Sequence, residues 1–259
     1  MRRIQQPKLV PPAAAVLRGL LILALSFAVG AVHPSVASAA GNCASPINTH
    51  LFAGWESRTT QAHEPEGVSA TLTYRRADSC QGITIVNGAY SGWVMLSSNG
   101  QQLEYAQAGF HFDGNPLSCL KHFSEYNNNF WPLPAEKDGS CVIDGEVHVP
   151  AVTYHTGTGG RVTMTIDGVF FAQTSFCICV WAQPFLAFYS GESADVNTDV
   201  PGLAASKTDW NNMSIQYINV QTWHDVCNNT ILYSTVVPPS RYATDAVACD
   251  HDRSWTATP

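Results

Sequence analysis

The chain has 259 residues, of which 45% are hydrophobic and only 13% charged, and its formal net charge is −7. That acidic balance excludes the basic footprint of a nucleic-acid binder and makes an anionic membrane surface an unsuitable partner. With 19 Gly and 15 Pro, the composition favours short strands joined by turns over long helices.

Residues 1–39 read as a secretory signal peptide. Arg2, Arg3, Lys8 and Arg18 form a basic start, Gly19 to Val32 is apolar, and Ala37-Ser38-Ala39 is an A-x-A cleavage site before Ala40. The apolar run is shorter than the roughly 20 residues a membrane span needs. Residues 40–259 are therefore expected to form one exported domain with no membrane span, since no linker, repeat or low-complexity tract divides them. Losing the four basic residues leaves 9 Lys and Arg against 20 Asp and Glu, a net charge of −11.

The pattern after the leader is strand after strand. Residues 42–66 are loop-like, with a short strand at Leu51 to Trp55. Val68 to Tyr74 alternates apolar and polar as a half-buried strand does. Ile83 to Val86 is apolar and stops at the turn dipeptide Asn87-Gly88. Trp93 to Leu96 follows, and a Ser-Ser-Asn-Gly turn at 97–100 leads into the longest alternating segment. There Leu103, Tyr105, Gln107, Gly109 and His111 share one face, and Ala106, Ala108, Phe110 and Phe112 the other. Asp113-Gly114-Asn115-Pro116 ends that strand.

Leu120 to Tyr126, Glu146 to His155, Arg161 to Ile166 and Val169 to Ala172 are further strands, the last two joined by an Asp167-Gly168 turn. Phe176 to Tyr189, the most hydrophobic stretch of the mature chain, is expected to cross the core. Ala194 to Trp210 reads as a long loop, Met213 to Val220 and Ile231 to Val236 as late strands, and Pro238-Pro239 as the close of the pattern. These elements predict an all-β antiparallel sandwich of jelly-roll type.

All 8 cysteines lie beyond the leader. An even number in an exported chain implies up to four disulfides whose pairing spacing does not give. Cys177 and Cys179, two apart on one strand face, are expected to bond to different partners. No second closely spaced Cys or His pair supports a zinc site.

The motifs of serine, zinc and nucleotide chemistry are absent: no G-x-S-x-G, no H-E-x-x-H, no phosphate-binding glycine loop and no dinucleotide fingerprint. What remains is an uncharged amide, Gln107, in the middle of a strand with Tyr105 and His111 beside it. Further on come Ser124-Glu125-Tyr126 and Tyr189-Ser190-Gly191-Glu192. A mid-strand glutamine is also an ordinary hydrogen-bonded residue, and a glutamate after glycine an ordinary surface charge.

The order of Trp93-Val94, the strand Tyr105-Ala106-Gln107-Ala108-Gly109, Ser124-Glu125-Tyr126 and an apolar strand leading to Glu192 resembles the glutamic peptidases of the eqolisin family. It also resembles exported bacterial β-sandwich proteins of unassigned activity. The resemblance spans roughly Trp93 to Val220. It implies a concanavalin-A-like sandwich and a catalytic pair at Gln107 and Glu192, with Glu125 as an additional carboxylate, acting on a polypeptide without a required cofactor. One departure stands out: Gly191 immediately precedes Glu192, where the peptidases carry a Trp-containing strand.

Two other features suggest a different class, a non-catalytic lectin-like module that binds polysaccharide. Asp195, Asn197 and Asp199 have the alternating oxygen side chains that suit a loop Ca²⁺ site. They are not an EF-hand, because Val200 stands at the glycine position. The chain also has 7 Trp residues. Most serve the core of a sandwich, but Trp131 and Trp210 are expected at the surface, where flat rings stack sugars.

Overall fold

The alternation of apolar and polar residues folds, in the computed structural model, into antiparallel strands arranged as two sheets. The structure describes residues 51–58, 65–77, 88–98, 104–115, 117–127, 135–155, 159–178, 185–193, 200–217, 222–227, 231–237 and 242–256. The expected leader at 1–39, the expected strand at 83–86, Trp131 and the Asp195, Asn197, Asp199 cluster lie outside the described residues.

One sheet has seven strands: β1 (Leu51–Arg58), β3 (Gly88–Ser97), β4 (Tyr105–Gly114), β5 (Leu120–Asn127), β6 (Ala135–Val142), β11 (Leu186–Ser193) and β14 (Ile231–Val237). Their order is β14-β1-β11-β3-β4-β5-β6. The second sheet contains β2 (Pro65–Thr73), β7 (Val147–His148), β8 (Pro150–His155), β9 (Arg161–Ile166), β10 (Val169–Gln173), β12 (Thr208–Tyr217), β13 (Trp223–Asp225), β15 (Tyr242–Ala248) and β16 (His251–Thr256). Its path is β10-β9-β8-β2-β12-β16-β15, with β13 beside β12 and β7 beside β2. All these pairings are antiparallel. Among the described residues no helix is long and apolar enough to cross a membrane.

The core lies where the apolar faces meet. Val68, Ala70 and Leu72 of β2, Val152 of β8, Met164 of β9 and Ile215 of β12 pack toward Val94, Leu96, Ala106, Ala108, Phe110 and Tyr189. Burying each larger side chain of this set stabilises the fold by about 1.5–3 kcal/mol. Two hydrogen bonds cross the layers at one point. Trp210 Nε1 donates to the Trp93 carbonyl at 3.3 Å, and the Tyr74 hydroxyl donates to the Gly109 carbonyl at 3.2 Å. Trp93 and Gly109 are partners across β3 and β4, so the second sheet grips the strands that carry the candidate site. Gly109 must lack a side chain there, because a Cβ would lie 2.1 Å from the Gly92 carbonyl oxygen.

Several expectations change. Trp210 is fully buried at the start of β12 rather than exposed at the end of a loop. Pro238-Pro239 does not close the pattern, since β15 and β16 follow and pair with each other. The stretch from Phe176 to Tyr189 is not one strand: residues 174–178 form bends and a short helical turn, and among the described residues the next strand begins at Leu186. Cys177 therefore does not sit in a strand, and its expected neighbour Cys179 is outside the described residues. The Asp167-Gly168 turn forms as expected, with φ of 53° and 73° joining β9 to β10. Disulfides link Cys119 to Cys141 and Cys227 to Cys249, Cys177 is also disulfide-bonded, and no described cysteine is free.

Candidate active site

Alternation along β4 sends Ala106, Ala108 and Phe110, all fully buried, into the core. Tyr105, Gln107, Gly109 and His111 must then point to the opposite, outer face of the seven-stranded sheet. Cross-strand partners share a face, which extends this outer set. Gln107 lies between Met95 and Glu125, and Glu125 lies beside Glu136. Glu192 pairs with Ser91, which pairs with His111. Gln107, Glu125 and Glu192, the three residues singled out from the sequence, therefore share one face.

They are not equivalent on it. The residue of β11 in the row of Gln107 is Phe188, opposite Met95. Glu192 lies four residues further along, about 13 Å of strand. Glu125 is the carboxyl that touches the amide: Gln107 Nε2 donates to Glu125 Oε2 at 3.5 Å, and the Tyr105 hydroxyl donates to Glu125 Oε1. Glu192 is held separately by the Trp93 indole, whose Nε1 donates to Glu192 Oε2 at 3.0 Å. Trp93 and Phe123 are each 2% exposed and Gln107 6%, although all three face away from the core, so this part of the face is sheltered from solvent.

Burial raises the pKa of Glu125, and the charges of Glu192 and Glu136 push it the same way, against the opposing hydrogen bonds from Tyr105 and Gln107. Burial also raises the Tyr105 phenol, with the charges of Glu125 and Glu192 adding to the effect. The strands bring Glu192 within electrostatic reach of both groups despite its offset. At acid pH the arrangement offers an amide donor in contact with a carboxyl that favours its protonated form, and a second, partly exposed carboxyl oriented by an indole.

The far end of the face is an ion cluster. His111 Nδ1 lies 3.2 Å from Glu136 and Nε2 lies 2.7 Å from Asp138, while Lys121 Nζ bonds Asp138 at 2.8 Å and Asp113 at 3.2 Å. His111, Glu136 and Asp138 have ligand atoms close enough together to hold a metal ion. The donor set does not suit one: both imidazole nitrogens already face carboxylates, and an ammonium already neutralises Asp138. The grouping of Asp225 with Cys227 and Cys249 fails too, because those cysteines are bonded to each other. The Ca²⁺ expectation at Asp195, Asn197 and Asp199 falls on residues outside those described.

Trp93 is a neighbour of the candidate site that sequence reading did not assign to it. Its place next to Gly92 at the start of an apolar run was visible, but its bond to Glu192 depends on the register of β3 against β11. The expected sugar-stacking role of Trp210 does not stand, since its ring is fully buried and its N–H is taken by the Trp93 carbonyl. Among the described residues, the exposed tryptophan is Trp223, 41% exposed on β13.

No family model and no curated protein matches the chain. Solved structures do. A scytalido-glutamic peptidase with a peptide-based transition-state analogue superposes with a TM-score of 0.55 at 14% identity, covering 80% of this chain and 98% of that one. SCP-B, a member of the eqolisin family of peptidases in complex with the tripeptide Ala-Ile-His, gives 0.52 at 12% identity over the same shares. The chain thus shares the β-sandwich fold of the eqolisin peptidases.

Proposed function

We propose that this chain is an exported hydrolase that cleaves polypeptide at acid pH, using the Gln107, Glu125 and Glu192 side chains on the outer face of the seven-stranded sheet. The observation that carries the reading is the Gln107 amide in contact with Glu125, a half-buried carboxyl whose pKa is raised chiefly by desolvation and further by Glu192 on the same face. Hydrolysis of an amide needs a base for the attacking water, a donor for the developing oxyanion and an acid for the leaving nitrogen. Glu192, oriented by Trp93, takes the proton from water as hydroxide adds to the carbonyl carbon. Gln107 Nε2 donates to the oxygen that gains charge. Protonated Glu125, positioned by Tyr105, gives its proton to the nitrogen as the C–N bond breaks, and exchange with solvent resets both carboxyls. The half-buried Met95 and Phe188, in the row of Gln107, give that face an apolar surface for a neighbouring substrate side chain.

The scheme requires no cofactor. It is tested by incubating the protein with an unfolded polypeptide across acid pH and identifying new termini by mass spectrometry. New termini are expected between roughly pH 3 and 5, around the ordinary carboxyl range, and are expected to persist with serine-directed reagents and chelators present. An unchanged polypeptide across that range would overturn the reading.

A further inference from the structure

We infer that the outer face of the nine-stranded sheet, on the side of the sandwich away from Gln107 and Glu125, is a binding groove for a neutral linear oligosaccharide. The groove has a volume of about 330 Å³, and its polar lining includes Ser69, Thr153, His155, Thr165 and Gln216, with Trp223 at its edge. Alternation explains the lining. Val68, Val152, Met164 and Ile215 turn inward to the core, so their neighbours Gly67, Ser69, Thr153, Thr165 and Gln216 turn outward.

Two features distinguish this groove from an ordinary polar sheet surface. First, Gln216 is only 5% exposed, yet its Oε1 has no hydrogen-bond partner among the described residues. A buried acceptor left unmet is costly, and here it borders the groove, where a ligand hydroxyl can supply the donor. Second, Gly67 forms the floor between Gln216 and Thr153 in the register. A Cβ on it would lie 3.1 Å from the Trp223 ring and 3.2 Å from Gln216 Oε1. The glycine lets the indole lie down beside the amide.

The chemistry of the lining selects the ligand. Apart from the imidazole of His155, none of these groups is ionisable, so neither an anion nor a cation is singled out. Hydroxyls and an amide beside an exposed indole match a sugar ring, which has polar edges and an apolar face that packs on a flat aromatic. Ser69 Oγ donates to the Pro150 carbonyl at 3.1 Å, which leaves its oxygen able to accept from a ligand. A second aromatic lies at the other edge: Phe170, 64% exposed, is paired with Thr165. Trp223 on β13 and Phe170 on β10 have backbones five strand spacings or about 24 Å apart, and the indole, which reaches over Gly67 on β2, covers about two of those spacings. Aromatics at both ends of a row of hydroxyls fit a chain of sugars running across the strands better than a single ring.

The test is a tryptophan-fluorescence titration of the whole protein with cellohexaose, maltohexaose and chitohexaose. It is repeated on the Trp223→Ala, Gln216→Leu and Phe170→Ala variants. Trp223 and Phe170 are exposed, so those variants are expected to keep the fold, as circular dichroism can check. Gln216→Leu removes an unmet buried acceptor and also keeps it. A saturable change with at least one hexaose, weakened about tenfold or more by Trp223→Ala and measurably by each of the other two, is the expected result. No saturable change with any of the three sugars, or a response that Trp223→Ala leaves intact, would overturn the proposal. Running the same titration on Glu192→Gln separates this groove from the hydrolytic reading, because sugar binding is expected to be unchanged there.

Discussion

Glu125 sits where two demands oppose each other. Burial and the neighbouring acidic charges favour its neutral form, while the Tyr105 and Gln107 hydrogen bonds favour the charged one, and the balance leaves its pKa raised. A carboxyl with a raised pKa is a proton donor over a wider acid range, which is what a leaving amine needs. Glu125→Gln should therefore lower turnover by about a hundredfold while leaving thermal stability unchanged or higher near neutral pH, since the charge that burial penalises is gone. In the wild type, activity should fall as pH rises through the raised pKa of Glu125. Turnover and melting temperature measured on one preparation separate that outcome from misfolding, which would lower both. Much of this was legible in the sequence, because period-two alternation puts Gln107 on the face opposite Ala106 and Ala108 without any knowledge of the partner strands. The contact of Gln107 with Glu125, the bond of Trp93 to Glu192 and the presence of Phe188 in the row of Gln107 were not, because each depends on strand register.

The strands that carry the site are fixed from behind. Tyr74 donates to the Gly109 carbonyl, two residues from Gln107, and also lies 3.1 Å from His122 Nδ1. Tyr74→Phe keeps the ring in the core but removes the hydroxyl, leaving a buried carbonyl with one partner fewer. A loss of about 1–3 kcal/mol is expected, read as a shift in the chemical-denaturation midpoint. A Tyr74→Phe protein as stable as the wild type would show that the cross-layer bond contributes nothing to holding β4. At this scale the sequence was readable wherever a strand has one buried face, as in β2, β4, β8 and β9. It was not readable where that contrast is missing. β6 is an edge strand with mostly exposed residues, β13 is three residues long, β15 leaves its small apolar residues Ala246, Val247 and Ala248 exposed, and β16 is rich in polar and charged residues. Trp210 misled for a related reason: polar residues flank it on both sides, yet its alternate position on β12 points into the core.

Buried carboxyls give the molecule an acid preference. Asp252 is 1% exposed and neither of its oxygens has a partner among the described residues. Burial first, then the charges of Asp245 and Asp250, pushes its pKa up to about 7, and burial raises Glu66 as well. A carboxyl with a raised folded pKa contributes stability that is complete below the unfolded value of about 4 and is lost as pH climbs through the folded value. The melting temperature should fall between about pH 4 and pH 7, and Asp252→Asn should flatten that slope. Asp113, Asp138, Asp167, Asp245 and Glu146, whose pKa values are lowered, act in the opposite sense below about pH 4, and His122, lowered chiefly by burial, does so on acidification below about pH 6.5. The variant difference isolates Asp252 from all of them. Disulfides reinforce the fold: each of the Cys119–Cys141 and Cys227–Cys249 links closes a separation of 22 residues, about 3 kcal/mol in the chain-entropy model. Replacing Cys119 and Cys141 with serine should lower the denaturation midpoint accordingly.

The most direct measurement compares the wild type with Glu192→Gln, purified identically and incubated with an unfolded polypeptide at about pH 4. New peptide termini are expected with the wild type and at least a hundredfold slower appearance with the variant, both proteins having the same melting temperature. No cleavage by the wild type, or equal cleavage by the two, would contradict the proposed function.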